Sequence, residues 1–304
     1  MIGGLLASAS VGRGTCAAQL DSSKHDSEWR HRSMEESDRI RKFPWAEFLD
    51  DWNRRMTVAR ARSVVQFGVL GDPAHGWREL VEKSAREAGD TIDAKILAPI
   101  DASDTFDHDS AVAVLKQAAT LLQKIEHFIP QVLKPASSFM IIRNQGLSFE
   151  PATIQQIQEA ESRLGVSLPD SYRQFLLHSN GWLSPNGILL GANDIAWFAK
   201  KDPTMVQDWS GNSPAPIEDK DYFVYGSEQY PHHMRGEYLK DCLVISQAYA
   251  ELPNERLLLN RAVVFSNGEW EAWHLSPRLP GAVRVRSFAE MMELEKRRDL
   301  HSIR

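Results

Sequence analysis

The spacing of apolar residues changes near residue 144, and that change limits what this chain can fold into. Before it, the spacing is helical. Trp45, Phe48, Leu49, Trp52 and Met56 fall at i, i+3, i+4, i+7 and i+11, one stripe of a helix over about 45–57. Trp77, Leu80, Val81, Ala85 and Ala88 form a second stripe over about 77–88, stopped by Gly89. Ala111, Leu115, Ala118, Leu122, Ile125 and Ile129 form a third over about 110–129, capped by Asp107 or Asp109 and ended by Pro130 and Pro135. After residue 144 two short helices come first. Thr153 and Gln156 have the spacing of a capping box, with Ile154, Ile157, Ala160 and Leu164 facing inward and Gly165 as the stop. Leu168-Pro169-Asp170 opens the next helix, whose apolar side is Tyr172, Phe175 and Leu176. Strand-like runs follow at 187–191, 222–225, 242–246 and 256–259. Ala262-Val263-Val264-Phe265, Ser266-Asn267-Gly268 and then Trp270 to His274 read as a hairpin, and Ser287-x-x-Glu290 opens a last helix ending near Arg298. Helices, then antiparallel strands, then a helix describe an α+β fold. The segments are a disordered leader at 1–35, a helical region or insertion at 36–143 and a mixed domain at 144–304.

Several function classes fall away on composition. No apolar run reaches the ~20 residues of a membrane span, so no membrane association is expected. The formal charge of −6 disfavours a general nucleic-acid binder. Two cysteines, Cys16 and Cys242, make no disulfide framework. The weakly apolar stretch from Ile2 to Val11 has no preceding basic residue and is broken by Gly and Ser, which argues against a signal peptide and for a cytoplasmic protein, with Met34 as an alternative start.

The chemical motifs are equally sparse. There is no Gly-x-Ser-x-Gly elbow, phosphate loop or His-Glu-x-x-His. The aspartate-rich stretch 101–109 lacks the central Gly and closing Glu of a calcium loop. His232-His233 point apart in an extended chain and seldom chelate one ion. Cys242, in Cys-Leu-Val-Ile, reads as a buried thiol. Glu269 and Glu271 alternate about Trp270 and read as an exposed acidic face, with a glycosidase-type pair as the sharper and weaker reading. No cofactor, metal or catalytic residue is expected.

Glu161-Ser162-Arg163-Leu164-Gly165, then Leu168-Pro169, Tyr172, Phe175-Leu176 and Asn180-Gly181-Trp182, resemble the opening of the SUKH superfamily in its Smi/Knr-like branch. Gly268-Glu269-Trp270-Glu271-Ala272-Trp273, Leu279-Pro280-Gly281-Ala282 and Ser287-Phe288-Ala289-Glu290 are similar to its closing hairpin and helix. Pro44-Trp45 through Trp52 looks like the Trp-rich helix often found ahead of that domain. The resemblance covers about 144–304 and that helix; residues 57–143 depart from it. It implies a non-catalytic protein-binding module. Its leading form is an immunity protein that neutralises a cognate polymorphic or contact-dependent toxin, such as a nuclease. The alternative is an adaptor or regulator of signalling or cell-wall synthesis, as in fungal members. An enzyme is the third and weakest reading.

Charge supplies the candidate surface. Residues 144–250 carry 13 acidic and 7 basic side chains, which accounts for the whole net charge. Such a local acidic surface suggests a basic partner or a metal, and with the resemblance the expected partner is a basic toxin domain. Asp208, Glu218, Asp219, Asp221 and Glu228 are the candidate rim carboxylates, and Trp209, Tyr222 and Tyr225 the candidate aromatic anchors. A solubilising acidic face is the competing reading.

Overall fold

The first aromatic stripe folds as α1 (Trp45–Phe67), which runs well past the expected end at 57. The extension is driven by burial: Thr57, Ala61 and Val64 continue the buried face begun by Trp45, Leu49, Trp52 and Met56. Gly68 stops it at φ 77, where a side-chain Cβ would overlap the Leu97 carbonyl, so only glycine fits. The computed structural model describes residues 42–71, 76–101, 107–131, 134, 136–184, 187–211, 217–248 and 254–302. The expected leader with Cys16 and Met34, the helix-ending Pro135 and most of the aspartate-rich stretch lie outside them.

Helix α2 (Trp77–Glu87) buries Val81 and Ala85, but Leu80, expected inward, is exposed. Short α3 (Ala94–Leu97) follows. In α4 (His108–Ile125) the expected cap is present: Asp107 accepts from the Ser110 amide at 2.8 Å. A 3-10 turn at Glu126–Phe128 replaces the last expected helical turn. Helix α5 (Ser137–Asn144) was not legible in the sequence. Helix α6 (Ile154–Leu164) starts with the complete Thr153–Gln156 capping box, though Ile154 points to solvent, and α7 (Asp170–His178) buries Tyr172, Phe175 and Leu176.

The strands are β1 (Trp182–Ser184), β2 (Gly187–Leu189), β3 (Ala196–Trp197), β4 (Cys242–Val244), β5 (Ser246–Gln247), β6 (Arg256–Val264), β7 (Trp270–Ser276) and β8 (Gly281–Val285). They form two antiparallel sheets ordered β1-β2-β5 and β3-β4-β6-β7-β8. The expected hairpin is β6–β7, with a register shift between Asn260 and Val264. Helix α11 (Phe288–Ser302) closes the chain, and its Glu290 amide bonds the Ser287 hydroxyl at 3.1 Å. Three short helices lie between β3 and β4: α8 (Phe198–Lys201), α9 (Pro203–Gly211) and α10 (Asp219–Tyr222). The fold is α+β.

Every residue of β7 is buried, because both faces of the sheet are covered. On one face Trp270 and Ala272 join an apolar cluster that also contains α1, α4, α7 and α11 residues. Trp45 lies 5.7 Å from both Phe175 and Phe288, and Trp52 5.2 Å from Trp182, between ring centroids. This cluster runs through both sides of residue 144. On the other face Trp273 and Leu275 pack under Phe198, Met205, Tyr222 and Leu239 of the β3–β4 connection. That connection is a cap on the sheet.

The outer edge of β8 is closed by the cap. The Gln229 side chain accepts from the Arg284 amide at 2.7 Å and donates to its carbonyl at 2.9 Å, as a neighbouring strand would. The Ala282 amide donates to the Pro231 carbonyl at 2.9 Å. Such pairing satisfies groups that an edge strand otherwise leaves open.

A charged layer lies between the sheet and α11. His274 approaches Glu295 at 2.9 Å and Glu255 at 3.2 Å. Burial opposes its charged form, but hydrogen bonds to Glu255 and Glu295 outweigh that and raise it from 6.5 to about 9. Asp299 accepts from the Trp52 indole at 3.1 Å and the Ser184 hydroxyl at 3.4 Å. Burial, with the Glu295 charge, raises its carboxyl from 3.8 to about 8. Both groups bind a proton more tightly when folded. Their contributions are full below the ordinary values of 3.8 and 6.5 and are lost as pH rises from 3.8 through about 8 for Asp299 and from 6.5 through about 9 for His274. Urea midpoints should therefore fall across that range, and Asp299→Asn should flatten the lower part. A midpoint that stays level through it would contradict the assignment.

Candidate functional site

All eight candidate residues lie in the cap between β3 and β4. They divide into a buried set and an exposed rim. The expected strand at 222–225 is absent: Asp219–Tyr222 is helical, and no strand follows until β4. The reason is visible in the tyrosines. A strand would send residues 222 and 225 to opposite faces. Instead both phenols reach one carboxylate, Tyr222 at 2.6 Å from Glu271 Oε2 and Tyr225 at 2.8 Å from Oε1.

Glu271 is fully buried, not on an exposed acidic face as expected. Asn260 Nδ2 and the Trp273 indole also donate to its Oε2, at 2.9 and 2.6 Å. The equally buried Arg284 guanidinium lies 3.6 Å away and donates to the Tyr222 carbonyl. Two guanidiniums lie over the Tyr222 ring, those of Arg284 at 4.2 Å and Arg235 at 4.5 Å from its centroid. Burial, then the Glu271 charge, pushes both phenols well above the ordinary tyrosine range. Tyr222 is therefore a structural hub and not a contact anchor, while Tyr225 is half-buried at the margin of the cap.

Glu269 is buried as well, again contrary to expectation, but in a different layer. It accepts from both the amide and the hydroxyl of Ser171, in the first turn of α7. Such a turn has amides with no partner inside the helix. Burial raises its carboxyl, opposed by the Ser171 bonds. Glu269 and Glu271 thus serve separate structural networks and form no carboxylate pair.

The rim is acidic. Asp208, Glu218, Asp219 and Glu228 are exposed, and Asp221 is half-buried. Glu218 pairs with Lys220 at 2.7 Å and Asp219 with Arg235 at 2.6 Å. Trp209 is half-buried against the cap's apolar cluster and, with Asp202, Met205 and Asp208, lines a hollow of about 370 Å³. Two exposed aromatics went unselected in the sequence: Phe223 at 45% and Tyr230 at 61%. The signal for Phe223 was its place beside Tyr222 at the end of a helix, where neighbours cannot both face inward.

The remaining candidate chemistry is quiet. Cys242 is buried, its thiol pushed up by burial. His232 and His233 do not point apart as expected but lie edge to face at 4.6 Å between ring centroids, and among the described residues no cluster of three or more His, Cys, Asp or Glu could hold a metal. No helix among them is long and apolar enough to cross a membrane. The geometry is that of a packed cap with a charged rim and aromatic side chains at its surface.

Residues 151–275, which include the whole cap, match the model of the SMI1 / KNR4 family (SUKH-1). No curated protein and no solved structure gives a significant match.

Proposed function

We propose, from the match of residues 151–275 to the SUKH-1 family, that this chain is a non-catalytic immunity protein that binds a basic toxin domain stoichiometrically through the cap. The observation that carries this reading is the separation within the cap: its acidic side chains are at the surface while its apolar and hub residues are inside. Asp208, Glu218, Asp219, Asp221 and Glu228 supply a negative rim, and Trp209 and Tyr225 are partly accessible beside it. Phe223 and Tyr230 join them as anchors in place of Tyr222. Rim charges speed encounter with a basic surface, and anchored aromatics slow release. The setting of the reading is the cytoplasm.

The test is surface plasmon resonance against the toxin domain encoded beside the gene, at two salt concentrations. Asp208→Asn, Glu218→Gln, Asp219→Asn and Glu228→Gln together should slow association and flatten its salt dependence, since steering is screened beyond ~10 Å at 0.1 M salt. Phe223→Ala or Tyr230→Ala should instead speed dissociation, by about 2 kcal/mol at a hot spot. Unchanged association and salt slope in the fourfold variant would leave the rim only a solubilising face.

A further inference from the structure

The basic counterpart of the acidic cap lies on α1. A hollow of about 600 Å³ there is lined by Arg54, Arg55 and Arg62, with Val58, Phe67 and Leu300 among its apolar walls and no carboxylate in its lining. It is built by α1 and the end of α11 alone, shares no residue with the cap and lies outside the family-matched segment.

The three guanidiniums are weakly committed within the molecule. Arg62 is exposed and makes no ion pair among the described residues. Arg55 reaches Asp51 at 3.4 Å, but Asp51 is held more closely by Lys296 at 2.8 Å, and that hydrogen bond is the main cause of its lowered carboxyl. Arg54 pairs with Asp50 one helical turn away, with both side chains more than half exposed. Exposed pairs of this kind contribute little and exchange readily.

We propose that this hollow is a second docking surface, and that its occupant is an acidic amphipathic protein segment. The arginines fit carboxylates in two-point contacts. The Val58, Phe67 and Leu300 walls fit an aliphatic stripe between those carboxylates and give a purely polar polyanion nothing to bury. The inference is independent of the reading of the cap. It assigns a role to the helical region ahead of the family domain.

The probe is a labelled helical peptide built from Glu and Leu, titrated with the full chain by fluorescence anisotropy. Controls are a Glu and Gly peptide of equal charge, a Lys and Leu peptide, and phosphatidylserine vesicles. The Glu and Leu peptide should bind best, and Arg54→Glu with Arg62→Glu should weaken it by about tenfold or more. Arg62→Lys should retain part of the binding. Should the double variant not fold, as read by circular dichroism, Arg62→Ala on its exposed helix face gives the same reading. Glu218→Gln with Glu228→Gln should leave peptide binding unchanged, which separates this surface from the cap. Equal binding of wild type and the charge-reversed chain, equal binding of the Glu and Gly peptide, or binding to vesicles in place of the peptide would each overturn the proposal.

Discussion

Replacement of Glu271 by alanine should lower the unfolding free energy by about 3–5 kcal/mol, because it leaves a buried charge without its partner. The stranded group is Arg284, fully buried and 3.6 Å from the carboxylate it would lose. Four further donors lose their acceptor together: the Tyr222 and Tyr225 hydroxyls, Asn260 Nδ2 and the Trp273 indole. The two tyrosines belong to the cap, Asn260 to β6 and Trp273 to β7, so the loss spreads through cap and sheet together. The measurement is urea unfolding followed by tryptophan fluorescence. A second variant separates the charge from the geometry. Glu271→Met with Arg284→Met removes both ions and should recover the part of the loss that comes from the stranded guanidinium, leaving the part that comes from the four unpaired donors. A loss under ~1 kcal/mol in Glu271→Ala, the size of an ordinary surface change, would show that the network does not hold the cap down.

Trp52→Ala should have a comparable effect, a loss of about 3–5 kcal/mol typical of a buried tryptophan. Its ring is fully buried against Phe48 and Trp182, and its indole nitrogen holds Asp299 of α11. The same helix makes two more ties to later segments: Asn53 accepts from the Leu147 amide at 2.7 Å, and Lys296 donates to the Phe48 carbonyl at 2.8 Å. We expect wild type and variant alike to melt in one transition by both circular dichroism and fluorescence. Two separated transitions would mean that the helices before residue 144 and the segment after it fold independently. Trp52→Phe keeps most of the ring and removes the donor, and should cost about 1–3 kcal/mol.

What could be seen in the sequence was whatever depends on neighbours. The α1 stripe, the Asp107 cap, the Thr153–Gln156 box and the β6–β7 hairpin rest on residues a few positions apart, and each is present. What depends on distant partners was hidden. Glu269 and Glu271 alternate as surface carboxylates should, yet they are buried because Ser171, Tyr222 and Tyr225 come from far along the chain to meet them. Residues 222–225 have strand-like composition, and only the shared carboxylate reveals why they turn. The candidate surface was legible to the same degree. Its acidity is a property of composition and stands at the rim, whereas the choice between Tyr222 and Phe223 as the outward ring is made by packing.

The closure of β8 separates two kinds of evolutionary freedom. Gln229 faces inward and stands in for a missing strand, so its replacement would uncover peptide groups on which another copy of the chain could polymerise. Glu228 and Tyr230, on either side of it, are exposed and take no part in the closure. On the reading proposed above, a lineage could rewrite residues 228 and 230 as the bound partner changes while residue 229 stays fixed. Adaptation of the surface and protection from self-assembly reside in adjacent residues without competing.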